Sequence, residues 1–492
     1  MRRAGHRTLL ALAAIVGLGI VAPAGHTGRL PRYGGTLRVT VAALPASLDP
    51  LRLTSDDGAI VAGCLYEGLT RWDSTGVGPA LARTWTHDDE AQRWRFKLRS
   101  DAQFHDGTRC DATAVARALE RLADPRRSPC AWLFADLAGW DEFAAGRAAH
   151  VEGIDVLEAT EIELAFASRA NDVPARLALP VAGIARRQGS EWLGTGPFEV
   201  ASATGDRLRL VACRDHAPGR PYLDRVEFTA ESDTATASEM DALRVVRVRP
   251  ADVQHAAAIR WRGAASRLGF LLVNPRSPVL GTDERRHELA QSFDRSVFVR
   301  VALEGDGDAT EALLPGNTRR VRSRTNGSAG DLAGTAGQRA RIVVSQAEPV
   351  LRALGERLQV HLYALGVAAD LEALPAAEYS RELTRGHFDV AVLGWTPPQP
   401  ADEGLLAVTT LQLFAASALQ PALGSAFPDA WTPARLAAAK EPAAALLRGD
   451  LCIPLVFFHD LWQTPAEVLH LEPGRAGAGL GLADTHLDPR LP

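Results

Sequence analysis

Residues 341–371 read RIVVSQAEPVLRALGERLQVHLYALGVAADL. Ile342 to Val344 make a short apolar strand. Pro349 to Leu365 make a helix, and Gly366 to Leu371 a second strand. Strand, helix and strand in that order and at those lengths form a βαβ-like unit, the building block of α/β sheets. Outward from it, Phe388 to Leu393 (FDVAVL) is a further strand, ending in Gly394-Trp395. Leu268 to Val273 (LGFLLV) is wholly apolar, as a strand must be when both its faces are covered, so it belongs in the middle of a sheet. Asp283 to Phe293 reads as a helix with Leu289 and Phe293 inward. Leu451 to Phe458 (LCIPLVFF) is the last strong strand. Between them, Arg319 to Gln338 is polar and rich in Gly and Ser, the composition of a long surface loop.

The first half has the same mixture. Thr36 to Val41 (TLRVTV) alternates like a strand, and Ser47-Leu48-Asp49-Pro50 is a turn. Asp56 or Asp57 is placed to cap a helix through Ile60, Val61, Cys64 and Leu65, with Gly68 as its expected stop. Gln92 to Leu98 (QRWRFKL) puts Trp94, Phe96 and Leu98 on one face. Phe104-His105-Asp106-Gly107 is a turn, after which Asp111 caps a helix carrying Val115, Ala118 and Leu119. Residues 151–167 read as two strands. Gly194 to Val200 (GTGPFEV) enters another, followed by Leu208–Val211 and Val226–Phe228. Helices and strands alternate to the end with no separable all-α or all-β half. This predicts α/β lobes between which the chain crosses more than once.

The chain has 492 residues, enough for about three domains at ~150 residues each. The 46% hydrophobic and 23% charged fractions exclude wholesale disorder, a collagen-like repeat and a polytopic membrane protein. A net charge of −5 excludes a strongly basic nucleic-acid binder, so no nucleic-acid partner is expected. Of 54 basic residues only Lys97 and Lys440 are lysines, so nearly every cation is an arginine.

The amino terminus reads as an export signal over residues 1–24. Arg2, Arg3 and Arg7 precede the apolar run Leu9–Val21 and a small-x-small site at Ala22-Pro23-Ala24. An uncleaved anchor is the rival reading. No cysteine is placed to carry a lipid, and the mature chain is expected to be soluble, periplasmic or extracellular. Among the five cysteines, Cys110 and Cys130 could pair in an oxidising compartment. The preferred reading is that all five are small, mostly buried apolar residues. No Cys/His spacing suits zinc, and His287 and His387 stand apart, so no metal or cofactor is expected. His105-Asp106 is a turn signature rather than half a catalytic pair. Gly194-Thr195-Gly196 lacks the GK[ST] of a phosphate loop, and no nucleophile elbow or HExxH is present.

Taken in order, ten segments resemble the family 5 extracellular solute-binding proteins, the oligopeptide-, dipeptide- and nickel-binding receptors of ABC importers. They are YGGTLRV at Tyr33, SLDP at Ser47, LYEGL at Leu65, PALA at Pro79, WRFKLR at Trp94, FHDGT at Phe104, GTGPF at Gly194, LGFLLVN at Leu268, FDVAVLGW at Phe388 and CIPLVFF at Cys452. The resemblance implies a two-lobed fold of the periplasmic-binding-protein type II kind with an extra subdomain in lobe I. Lobe I would hold residues 33–60, 175–268 and 450–492, the inserted subdomain 61–174, and lobe II 269–449. Leu268-Gly269 and Gly449-Asp450 are the expected crossing points.

The resemblance also implies a monomeric, non-enzymatic receptor that takes a peptide or similar small solute and delivers it to an ABC permease. By position, Thr54, Ser55 and Asp56 would line the cleft from lobe I, and Trp395, Thr396 and Asp402 from lobe II. Trp395 has packing in a core as its rival role, and Asp56 a simple helix cap. Peptide-binding relatives carry an acidic residue three positions after the GW tryptophan. Here that position is Pro398, with Asp402 four residues further on. A divergent family member that acts as a ligand sensor or does not transport, and a secreted hydrolase, are the competing readings.

Overall fold

A computed structural model describes most of the chain between residues 31 and 487. Residues 1–30, 42–43, 54–55, 74–75, 91, 129, 169, 231–243, 248–258, 313–337, 396–449, 466, 474–479 and 488–492 lie outside the described residues. The expected export signal, nearly all of the expected polar loop 319–338, and Gly449 fall there.

The first part of the chain supplies β1 (Thr36–Val41), α1 (Asp56–Leu65), β2 (Ala82–Asp88), β3 (Arg93–Leu98), α2 (Ala112–Ala123), β4 (Ile154–Glu158) and β5 (Glu161–Ala165). Next come β6 (Phe198–Ala203), β7 (Arg207–Ala212), β8 (Arg225–Ala230), β9 (Arg244–Arg247) and the long β10 (Ile259–Val273). Then follow β11 (Arg339–Ser345), α3 (Pro349–Ala364), β12 (Ala368–Leu374), β13 (Val390–Trp395) and β14 (Cys452–Thr464).

One sheet runs β6-β7-β8-β1-β9-β14-β10-β13-β11-β12, with the short strand Gly307–Ala309 on β14. β1 lies parallel to β8 and β9, and β11 lies parallel to β12 and β13. These two parallel parts are joined by β10 and β14, which pair antiparallel from Ile259↔Thr464 to Leu272↔Cys452. The join between the two parallel parts is therefore continuous strand. Leu268-Gly269, an expected crossing point, lies within it, and a Cβ on Gly269 would meet Leu354 Cδ1 at 2.7 Å, so this glycine leaves room for the Leu354 side chain. The fold is the expected α/β, two-lobed one.

LGFLLV is apolar throughout because both its faces are covered. Leu268, Phe270 and Leu272 join one buried cluster, Leu271 and Val273 another. The second cluster takes Leu351, Leu354, Leu358 and Leu362 of α3, one stripe of that helix. The βαβ unit stands as expected, β11 and β12 in register from Arg339↔Ala368 to Ser345↔Leu374.

A separate sheet, β2-β3-β5-β4, faces α2, and β3 buries Trp94, Phe96 and Leu98 in strict alternation. Asp111 caps α2 as expected, its Oδ1 accepting from the Ala114 N–H at 2.9 Å. Gly68 does not stop α1, which ends at Leu65. A Cβ on Gly68 would lie 2.2 Å from the Leu177 carbonyl oxygen, so the glycine admits a neighbouring chain. All five cysteines are free thiols, Cys110 and Cys130 included, and burial pushes both of these up to about 12.

His361, in the last turn of α3, gives this part of the fold a pH dependence. Its ring stacks on Phe293 at 4.7 Å, and Nε2 lies 2.8 Å from Ser292 Oγ. Burial, helped by the nearby Arg357 charge, lowers its pKa to about 4. The unfolded chain thus binds the proton more readily between about pH 6.5 and 4, and stability falls as pH drops through that window. The full shift corresponds to about 3 kcal/mol. The last turn of α3 favours the imidazolium and trims this to about 2 kcal/mol. Urea unfolding at pH 7 and pH 4.5 should show the acid-induced loss reduced by that amount in His361→Gln. Equal losses in the two proteins would contradict the assignment.

Candidate functional site

The turn after β1 is built around Asp49. Its Oδ1 accepts from the Leu51 N–H at 2.9 Å, capping the 3-10 turn Pro50–Arg52, and its Oδ2 pairs with Arg121 of α2. Tyr66 Oη donates to the Leu48 carbonyl, and burial beside the Asp49 carboxylate pushes the phenol pKa up. The chain then enters Thr54 and Ser55, which lie outside the described residues, and Asp56 opens α1.

His105 and Asp106 hold this region in shape. The Gly194 N–H donates to His105 Nδ1 at 3.3 Å, which leaves the Nε2 proton to donate to the Gly196 carbonyl at 3.1 Å. The Nδ1 bond needs a neutral ring, and burial lowers the His105 pKa in that direction. Thr195 Oγ1 accepts from the Glu67 N–H at 3.3 Å, and Glu67 pairs with His216 Nε2 at 3.2 Å. Asp106 bonds Thr108 and Arg186. The GTG segment is thereby clamped on the end of α1, a structural role for every group in it.

Trp395 is the last residue of β13, in register with Leu268 and 7% exposed. It shares a cluster with Leu268, Phe270 and Phe457. Thr396 and Asp402 lie outside the described residues. Beside Trp395, Arg267 of β10 is buried and pairs with Glu348 through two guanidinium nitrogens, at 3.1 and 2.8 Å. Its guanidinium carbon stands 5.5 Å from the Phe458 ring centre. A Cβ on Gly394 would come within 3.1 Å of the same guanidinium, so the glycine of GW leaves room for it. Sequence reading missed this pair. Its one signal was a charged residue directly before the apolar run LGFLLV.

A cavity of about 650 Å³ opens between the Pro50–Arg52 turn, α2 and the hairpin Arg186–Gln188/Glu191–Leu193. Arg121 reaches Asp49 with its guanidinium 4.1 Å over the Trp192 ring. Arg126 and Arg127 share Asp124, at 2.7 and 3.2 Å. Arg186 bonds Asp106, and Arg187 Nε donates to the Gly189 carbonyl at 3.0 Å. Arg52 and Arg117 also line the cavity and have no carboxylate partner among the described residues. Among those residues no group of three or more His, Cys, Asp or Glu is arranged to hold a metal ion.

Comparison with known proteins matches residues 76–411 to the family described as bacterial extracellular solute-binding proteins, family 5 Middle. The nickel-binding periplasmic protein of Escherichia coli (strain K12) is 30% identical over 209 residues, covering 39% of this chain and 37% of that protein. This chain thus spans little more than a third of that relative's length in the match. A probable D,D-dipeptide-binding periplasmic protein of the same organism is 24% identical over 396 residues, 72% of this chain and 73% of that one. A solved periplasmic oligopeptide-binding protein from Borrelia burgdorferi shares the fold. Its TM-score is 0.75 at 17% identity, covering 92% of this chain and all of that one. With the family match spanning well over half the sequence and this architecture underneath it, the chain belongs to the family 5 bacterial extracellular solute-binding proteins.

Proposed function

We propose that this chain is an exported, monomeric receptor that captures a peptide or similar small solute between two lobes and passes it to an ABC permease. It catalyses no reaction. Family membership carries the reading, and the two long strands joining the parallel halves of one sheet support it mechanically. Lobe I comprises residues 33–60, 175–268 and 450–492, with 61–174 inserted, and lobe II residues 269–449. Thr54, Ser55, Asp56, Trp395, Thr396 and Asp402 are the proposed solute contacts, by their positions in the sequence. Solute binding favours the closed arrangement by its differential affinity for that state.

The test is thermal unfolding against a library of dipeptides, longer peptides, opines and metal chelates. A true ligand at about 100 times its Kd stabilises by about 2.7 kcal/mol, so one chemical class should raise Tm in a concentration-dependent way. No shift with any class would overturn the proposal.

A further inference from the structure

The structure assigns a recognition site for a compact, multiply charged oxyanion to the arginine-lined cavity between the Pro50–Arg52 turn, α2 and the hairpin at 186–193. Seven guanidinium groups line it, and among the described residues Asp49, Asp106 and Asp124 pair with four of them. The chain as a whole is acidic, at −5, so this excess of positive charge is local. Arginine is the basic residue this protein uses nearly everywhere, and the information lies in the clustering rather than in the residue type.

Most of the groups are held in place before any ligand arrives. Arg121 is fixed between Asp49 and the Trp192 face, and Arg186 lies 5.2 Å over the Phe104 ring. The Arg186 Nε is buried without an acceptor, so Asp106 and Thr108 leave part of this guanidinium's hydrogen-bonding capacity unused. Arg52 and Arg117 add two exposed charges without carboxylates of their own. A volume of about 650 Å³ admits a small molecule with two or more carboxylate or phosphate groups. Guanidinium forks bind both in the same bidentate way. The site lies within one side of the molecule and does not depend on which solute the interlobe cleft takes.

The experiment is calorimetric titration of the whole protein with citrate and, separately, tripolyphosphate, with acetate as the monovalent control. At least one polyanion should bind with a Kd below about 100 μM at low salt, and more weakly as salt rises. The double variant Arg52→Ser/Arg117→Ser should bind it at least about tenfold more weakly, roughly 1.4 kcal/mol. Both side chains are exposed, so the variant should keep the wild-type Tm. Citrate alone identifies a polycarboxylate site and tripolyphosphate alone a polyphosphate site. Binding of neither, equal binding by the double variant, or acetate binding as tightly as either polyanion would overturn the assignment. A Tm rise with a peptide in the library screen would be untouched by any of these results.

Discussion

Gly194→Ala should cost at least about 4 kcal/mol, enough to remove much of the margin of a typical folded domain. A Cβ at Gly194 would sit 1.8 Å from the Leu65 carbonyl oxygen and 2.6 Å from the Tyr66 ring. At Gly196 it would lie 2.5 Å from the Leu65 carbonyl carbon and 2.6 Å from the Cys64 oxygen. These obstacles are mostly backbone at the end of α1, which cannot rotate away. Relief requires the GTG segment to lift, and lifting breaks Gly196 N–H to Leu65 O, Glu67 N–H to Thr195 Oγ1 and both His105 bonds. Gly205→Ala is the control, since a Cβ there meets nothing within 4 Å, and it should stay within about 0.5 kcal/mol of wild type. Urea unfolding reads both. A Gly194→Ala protein within about 1 kcal/mol of wild type would show that the close approach is not real.

Breaking the Arg267–Glu348 pair ranks next. Arg267 is 4% exposed and Glu348 13% at the side chain, so removing one partner takes a close opposite charge away from the other in a poorly hydrated place. Glu348→Leu should lose about 3–5 kcal/mol, and Arg267→Met a similar amount. The double variant should lose less than the two single losses summed, because the attraction within the pair is then removed only once. A double-mutant cycle measures the coupling, expected at about 2–3 kcal/mol. Additive losses would mean that the two side chains act separately. Gly394 packs against the same guanidinium, so the pair also fixes the end of β13, where Trp395 sits.

The α/β class and the middle position of LGFLLV were legible because burial on both faces leaves its mark in consecutive residues. The alternation of Trp94, Phe96 and Leu98 and the Asp111 cap were legible for the same reason, each being written over a few neighbouring positions. Gly68 was misread because a glycine after a helical stretch looks alike whether it ends the helix or admits Leu177, 109 positions further on. The Arg267–Glu348 bond joins residues 81 apart, and Arg121–Asp49 residues 72 apart. The arginine cavity draws on three segments between residues 49 and 192. Local pattern carries no trace of such meetings, which exist only once the sheet and α2 have brought the segments together. Of the expected cleft residues, Trp395 and Asp56 lie within the described residues and Thr54, Ser55, Thr396 and Asp402 outside them, and all six are proposals as solute contacts.

The most direct test is recovery of the guest. The protein is saturated with whichever library solute raises Tm most, freed of excess and denatured, and the released small molecules are identified and counted by mass spectrometry. A receptor returns about one solute per chain, chemically unchanged, over hours of incubation. Recovery of a cleaved or otherwise altered molecule, or of none, would contradict solute capture as what this protein does.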